Sequence, residues 1–186
     1  IWEDNVTFLL KRCIYSVKDE KLVYAYVLMS NFSSYRGDGN GSAINLINCG
    51  IQCNDTVFDD CITKTGGGGA VYIDNSVDIL NNATFRDTNF TRCQALYGGA
   101  VLVSIKSNLV NLSFTRCNFE SNTALLMSLP SGQKSSLFSG SAIFVISHSI
   151  QVLDCKFIKN KGSKGAIKIY VWPKENEDNS INSDSP

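Results

Sequence analysis

The chain has a single histidine in 186 residues, and its seven cysteines show no Cys-x-x-Cys spacing. A zinc site therefore lacks its usual ligand pairs, and no metal or cofactor site is expected. Formal net charge is zero, without the basic excess that signals nucleic acid or an acidic block that would gather cations. No apolar run reaches the ~18 residues that a membrane span requires. A signal-peptide pattern is missing and the first residue is Ile1 rather than Met, which reads as a mature or internal piece of a longer protein. Helical periodicity of useful length is confined to residues 1–15.

What is present is a repeat. A Gly/Ser–small–Ala–aliphatic element recurs as Gly41-Ser42-Ala43-Ile44, Gly68-Gly69-Ala70-Val71, Gly98-Gly99-Ala100-Val101 and Gly140-Ser141-Ala142-Ile143, then shortened as Gly165-Ala166-Ile167. Between these lie Phe32, Phe58, Phe90, Phe119 and Phe157. A period of roughly 28 residues signals a stacked architecture. The longest interval contains the insertion Leu125 to Ser139.

Aligned columns expose strand geometry. After each alanine come Ile44, Val71, Val101, Ile143 and Ile167, and two places on Leu46, Ile73, Val103, Val145 and Ile169. Both columns are aliphatic, whereas the one between them (Asn45, Tyr72, Leu102, Phe144, Lys168) is mixed. Side chains alternate faces along a strand, so the uniform columns point inward and the mixed one outward. Five and seven places before each phenylalanine, Val27, Cys53, Phe85, Phe114, Val152 and Ala25, Ile51, Ala83, Leu112, Ile150 repeat this logic. The pattern predicts an all-β, right-handed parallel β-helix of about five to six three-sided coils. The expected divisions are an irregular N-terminal coil or cap over 1–40, β-helix repeats over 41–171, and a polar tail or linker over 172–186.

The glycine and phenylalanine elements together resemble the GGA[I/V/L] and FxxN repeats of chlamydial polymorphic membrane proteins and their relatives. The matches are Gly68 to Val71, Gly98 to Val101, Phe119-Glu120-Ser121-Asn122 and Phe157-Ile158-Lys159-Asn160. The resemblance implies a surface-displayed β-helical passenger acting in adhesion or as a scaffold. Two FxxN elements depart from the pattern by ending in cysteine, as Phe58-Asp59-Asp60-Cys61 and Phe90-Thr91-Arg92-Cys93.

Candidate site residues follow from the columns. Asn122 and Asn160 suit a corner, where asparagine tolerates left-handed backbone and its amide can bond the same amide one coil away. Gly69, Gly99 and Gly165 serve turns needing positive φ or close backbone approach. A phosphate loop is excluded, because no helix follows these glycines and the Lys-Ser/Thr pair is missing. Cys61 and Cys93 share a column, as do Cys117 and Cys155. A coil step of ~4.8 Å admits either a disulfide or two stacked thiols at each pair. Asn-x-Ser/Thr sequons stand at Asn5, Asn31, Asn40, Asn54, Asn82, Asn89 and Asn111, and all but Asn40 fall on columns assigned to the outer face. That placement favours a eukaryotic secreted glycoprotein.

Two further motifs carry bland readings. Arg36-Gly37-Asp38 spells an integrin tripeptide that turn composition explains by coincidence. Asp38-Gly39-Asn40-Gly41-Ser42 has calcium-like oxygen spacing without the later bidentate Glu.

The expected function is a non-enzymatic extracellular or cell-surface module, structural or adhesive. Its partners would be other copies or segments of the parent protein, or extracellular protein or carbohydrate ligands. The insertion, with Leu125, Pro130, Gly132 and Lys134, is either a contact loop or a tolerated insertion. The rival is a polysaccharide lyase or hydrolase built on the same fold. Such chemistry needs positioned carboxylates, and the adjacent Asp59 and Asp60 lack a second acidic cluster in the next coil.

Overall fold

The computed structural model describes residues 24–75, 82–105, 111–125, 140–163 and 165–171. Asn5, Pro130, Gly132, Lys134 and the tail 172–186 lie outside these. The first coil runs β1 (Tyr24–Leu28), β2 (Asn31–Ser33), β3 (Arg36–Gly37) and β4 (Ile44–Ile47). The second runs β5 (Gly50–Asn54), β6 (Val57–Asp59), β7 (Ile62–Thr63) and β8 (Val71–Asn75). The third has β9 (Ala83–Arg86), β10 (Asn89–Thr91), β11 (Gln94–Ala95) and β12 (Val101–Ile105). The fourth has β13 (Leu112–Thr115), β14 (Asn118–Glu120), β15 (Thr123–Ala124) and β16 (Ile143–Ile146). The last comprises β17 (Gln151–Leu153), β18 (Lys156–Ile158) and β19 (Ile167–Tyr170).

Each strand pairs in parallel with its counterpart one coil away. The sheets are β1-β5-β9-β13-β17, β18-β14-β10-β6-β2, β15-β11-β7-β3 and β19-β16-β12-β8-β4. This is the expected parallel β-solenoid, and the pairing reproduces the columns. Phe58 pairs with Phe32 and Phe90, Phe119 with Phe90 and Phe157, and Val101 with Val71 and Ile143.

Two expectations need correction. Each of the first four coils has four strands rather than three, the extra one being the two-residue strand that follows the second corner. Regular coils also begin by Tyr24, inside the segment expected to be irregular, because Ala25 and Val27 already stand in register with Ile51 and Cys53.

The interior is a set of vertical strips. Phe32, Phe58, Phe90, Phe119 and Phe157 stack with ring centroids 4.8, 5.0, 4.8 and 4.9 Å apart and planes within 10°. The coil rise imposes this separation, since in-register parallel strands sit ~4.8 Å apart. Phe85 and Phe114 form a second stack at 4.8 Å and meet the first edge-on, at 5.9 Å to Phe90 and 5.7 Å to Phe119. Edge-to-face contact sets the positive rim of one ring against the negative face of another, which adds about 0.5–1.5 kcal/mol to the burial of each pair.

The mixed column behaves differently from a solvated outer face. Leu102 and Phe144 are only 7% and 2% exposed, yet neither belongs to the central core cluster. Gly67 lies against Leu102, where a Cβ would come within 2.2 Å of Leu102 Cδ1. The outer face of this sheet therefore carries its own apolar layer.

Candidate functional site

The residues with unusual chemistry gather at two corners of every coil. At the first corner a left-handed residue (Met29, Asp55, Asp87, Arg116 or Asp154, φ 45 to 53°) turns the chain out of the first strand. Ser30, Thr56, Thr88, Cys117 and Cys155 follow it. Each of these side chains donates to the carbonyl two residues back: Ser30 to Leu28 at 2.9 Å, Thr56 to Asn54 at 2.8 Å, Thr88 to Arg86 at 2.9 Å, Cys117 to Thr115 at 3.5 Å and Cys155 to Leu153 at 3.3 Å. Three also reach the coil before, Thr88 to the Cys53 carbonyl, Cys117 to Phe85 and Cys155 to Phe114.

The second corner repeats the device, with its left-handed residue two places beyond the phenylalanine. Ser34, Asp60, Arg92, Ser121 and Lys159 adopt φ of 52 to 60°, and Tyr35, Cys61, Cys93, Asn122 and Asn160 follow. Asn122 Nδ2 donates to the Phe90 carbonyl at 2.9 Å, and Asn160 Nδ2 to the Phe119 carbonyl at 2.8 Å. Asn160 Oδ1 accepts from the Asn122 backbone N–H and from its amide, both at 3.0 Å, and Asn122 Oδ1 accepts from the Cys93 N–H at 2.9 Å. This is the asparagine ladder expected from the sequence.

The cysteines continue both ladders by the same bonds. Cys61 and Cys93 direct their thiols to the carbonyls of Phe32 and Phe58, at 3.6 and 3.7 Å. Those are the positions that Asn122 and Asn160 use one and two coils further on. Cys117 and Cys155 likewise take over the hydroxyl role of Thr56 and Thr88, and Cys155 Sγ accepts from the Cys117 N–H at 3.4 Å. Cys61, Cys93, Cys117 and Cys155 are free thiols. Each of the four sulfurs meets a carbonyl of the preceding coil, and the Cys61 and Cys93 thiols also hydrogen-bond each other, so the stacked-thiol alternative is the one realised.

Burial makes three of these thiols poor nucleophiles, whereas the Cys93 thiol, by hydrogen bonding, lowers Cys61. Burial pushes Cys53 and Cys117 up to about 12 and Cys93 well above the ordinary thiol value. The thiolate is the reactive form, so these groups are inert at neutral pH. Half-buried Cys155 is the most accessible of the described cysteines.

At and beside the corners, acids and arginines also pair from coil to coil. Arg36 Nη2 meets Asp60 Oδ2 at 2.6 Å, Arg92 pairs with Asp59 at 2.5 Å, and Arg116 grips both oxygens of Asp87 at 2.7 and 2.5 Å. Arg36, by hydrogen bonding, holds the Asp60 carboxyl below the usual range, and Arg116 does the same to Asp87. The two adjacent carboxylates weighed for catalysis are thus each tied to an arginine. Asp60, stabilised as its anion, is a weak general acid near neutrality. Arg36 is also fixed in β3 by the Asp60 carbonyl, so Arg36-Gly37-Asp38 is not a free loop tripeptide. In the calcium-like stretch, Asn40 Oδ1 accepts from the Gly67 N–H at 2.8 Å. Among the described residues no group of three His, Cys, Asp or Glu could hold a metal ion.

The described sequon asparagines all reach the surface. Asn31, Asn89 and Asn111 are exposed, and Asn40, Asn54 and Asn82 are half-buried. Asn82 Oδ1 accepts from the Asn111 N–H at 2.9 Å, which leaves its Nδ2 outside that bond. Of the insertion, Leu125 is half-buried and its N–H donates to Ala95 at 2.8 Å.

Sequence reasoning missed the hydroxyl–thiol ladder and the cross-coil ion pairs. The first had a signal, since Ser30, Thr56, Thr88, Cys117 and Cys155 stand two places before the phenylalanine in every coil. Two of the three ion pairs join different columns and leave no such mark, whereas Arg116 and Asp87 share one column. No protein-family model, no curated protein and no solved structure matches the chain.

Proposed function

We propose that the chain is a non-enzymatic extracellular module, structural or adhesive, and a segment of a larger secreted or cell-surface glycoprotein. The observation that carries this reading is where the polar chemistry goes. The buried Asn122, Thr56, Thr88 and thiols form bonds along and between coils, and Asp59, Asp60 and Asp87 are held by arginines. A rod built this way presents repeated, rigid faces. Fold alone carries no enzymatic claim. The resemblance to polymorphic membrane protein repeats points the same way, toward display and adhesion. The surface position of the sequon asparagines suits glycans at Asn31, Asn40, Asn54, Asn82, Asn89 and Asn111.

The test is intact mass after expression through a eukaryotic secretory pathway, before and after glycosidase. A fall in mass of several glycan units is expected, and unmodified asparagines would remove the secretory reading. On a polysaccharide panel no turnover is expected. Turnover abolished by Asp60→Asn would establish the rival enzyme instead.

A further inference from the structure

The stretch from Asp38 to Ala43 joins β3 to β4, and Asn40-Gly41 at its centre has a reactivity beyond its sequon. An asparagine amide followed by glycine is open to attack by the next backbone nitrogen, because glycine places no side chain beside that nitrogen. The Gly41 nitrogen bonds to Asn40 Cγ, the Cγ–Nδ2 bond breaks, and ammonia leaves with the proton from Gly41. Water then opens the succinimide ring at either carbonyl, giving aspartate or isoaspartate. The conversion consumes water alone.

In the fold both reacting groups are held by one residue of the next coil. Gly41 N–H donates to the Gly67 carbonyl at 3.1 Å, and Asn40 Oδ1 accepts from the Gly67 N–H at 2.8 Å. To attack, the Gly41 nitrogen must lose its proton, and Asn40 must turn its amide carbon toward that nitrogen. Each bond opposes one of these steps. Gly66 closes the seam further, since a Cβ there would come within 2.3 Å of the Gly39 carbonyl oxygen and 2.5 Å of Asn40 Oδ1. The Thr63 hydroxyl donates to that same Gly39 carbonyl, and Ser42 N–H donates to the Gly69 carbonyl at 3.2 Å. Gly39 is nevertheless exposed, and Asn40 and Gly41 are half-buried, so water reaches the seam once it loosens.

We propose that Asn40-Gly41 is a one-way modification site, closed while the Gly67 clamp holds and deamidated when the seam between the first two coils opens locally. Such openings cost less than global unfolding. The two products differ in consequence. Aspartate keeps an oxygen where the Gly67 N–H needs it. Isoaspartate carries the backbone through the former side-chain carbons, so Gly41 is displaced from the Gly67 carbonyl and the seam stays open. A glycan on Asn40 would occupy Nδ2 and close the route. The test therefore uses chain without glycans, and its outcome is independent of the secretory reading.

The whole unglycosylated chain is followed in neutral buffer and in urea, reading the mass gain of amide-to-acid conversion and locating it by peptide mapping. The folded chain is expected to convert at Asn40 at least about tenfold more slowly than the unfolded one. Thr63→Val, which removes the donor to Gly39 and leaves Asn40 and Gly41 unchanged, should speed the folded rate several-fold without moving the rate in urea. Hydrogen exchange of the Gly67 amide in the unaltered chain supplies a second reading, and conversion should rise in step with it as sub-denaturing urea is added. On return to buffer, chains carrying the aspartate product should regain Gly67 protection, and those carrying isoaspartate should not. Equal rates folded and unfolded, or a folded rate unmoved in a folded Thr63→Val chain, would overturn the proposal. So would conversion that ignores Gly67 exchange, or a protected Gly67 in the isoaspartate chain.

Discussion

Phe90→Ala is expected to cost about 3–5 kcal/mol of stability, the range for emptying a fully buried aromatic site. Phe90 is 0% exposed and sits at the middle of the five-ring stack. It touches Phe58 at 5.0 Å, Phe119 at 4.8 Å and the edge of Phe85 at 5.9 Å. Its loss breaks one strip into two and leaves a void that cannot collapse, because parallel strands hold the neighbouring rings one coil apart. The same change at Phe157, half-buried with a ring on one side only, should cost well under half as much. Urea unfolding of both variants gives the comparison. Equal losses would mean that the stack acts as separate sites and not as a continuous core.

The second large effect belongs to Gly99→Ala. An added Cβ would lie 2.3 Å from the Ser141 carbonyl oxygen and 2.7 Å from the carbonyl carbon and oxygen of Thr123, all backbone atoms. No rotamer change can relieve these contacts, since strands of the next coil would have to move apart. Overpacking usually costs about 1–3 kcal/mol and more where the backbone must yield, so about 3 kcal/mol or greater is expected. At the preceding Gly98 the constraint is also φ, at +54°. A thermal melt of Gly99→Ala within a degree or two of the unchanged chain would show that the coils are not packed this closely.

These residues show how far the sequence could be read. Inner strips were legible because each coil repeats one side-chain type at one register, so Phe90 and Val101 identified themselves through Phe58, Phe119, Val71 and Ile143. The glycine requirement was legible for the same reason, although the sequence could not separate close approach at Gly99 from positive φ at Gly165, which is +85°. The two-residue strands were not legible. Alternation needs four or more residues to register, and Arg36–Gly37 or Gln94–Ala95 offer only two. Leu102 and Phe144 misled for another reason: an apolar residue in a mixed column reads as outward, and a second layer covering it leaves no local trace. Cysteine was the hardest case. A thiol has the size and burial of a small hydrophobe, and its weak hydrogen bond becomes visible only when the carbonyl it meets is seen.

Cys61, Cys93, Cys117 and Cys155 thus belong to the two corner ladders rather than to a disulfide framework. This role is tested most directly by the urea midpoint of Cys93→Asn set against Cys93→Val. Asparagine at 93 would present its amide to the Phe58 carbonyl, as Asn122 does to Phe90, and its oxygen to the Cys61 N–H, as Asn122 does to Cys93. Cys93→Asn is expected to keep or raise the midpoint, while Cys93→Val, which leaves the Phe58 carbonyl without its thiol, is expected to lose about 1–3 kcal/mol. A tolerated valine together with a strongly destabilising asparagine would contradict that role and make these cysteines plain apolar filling.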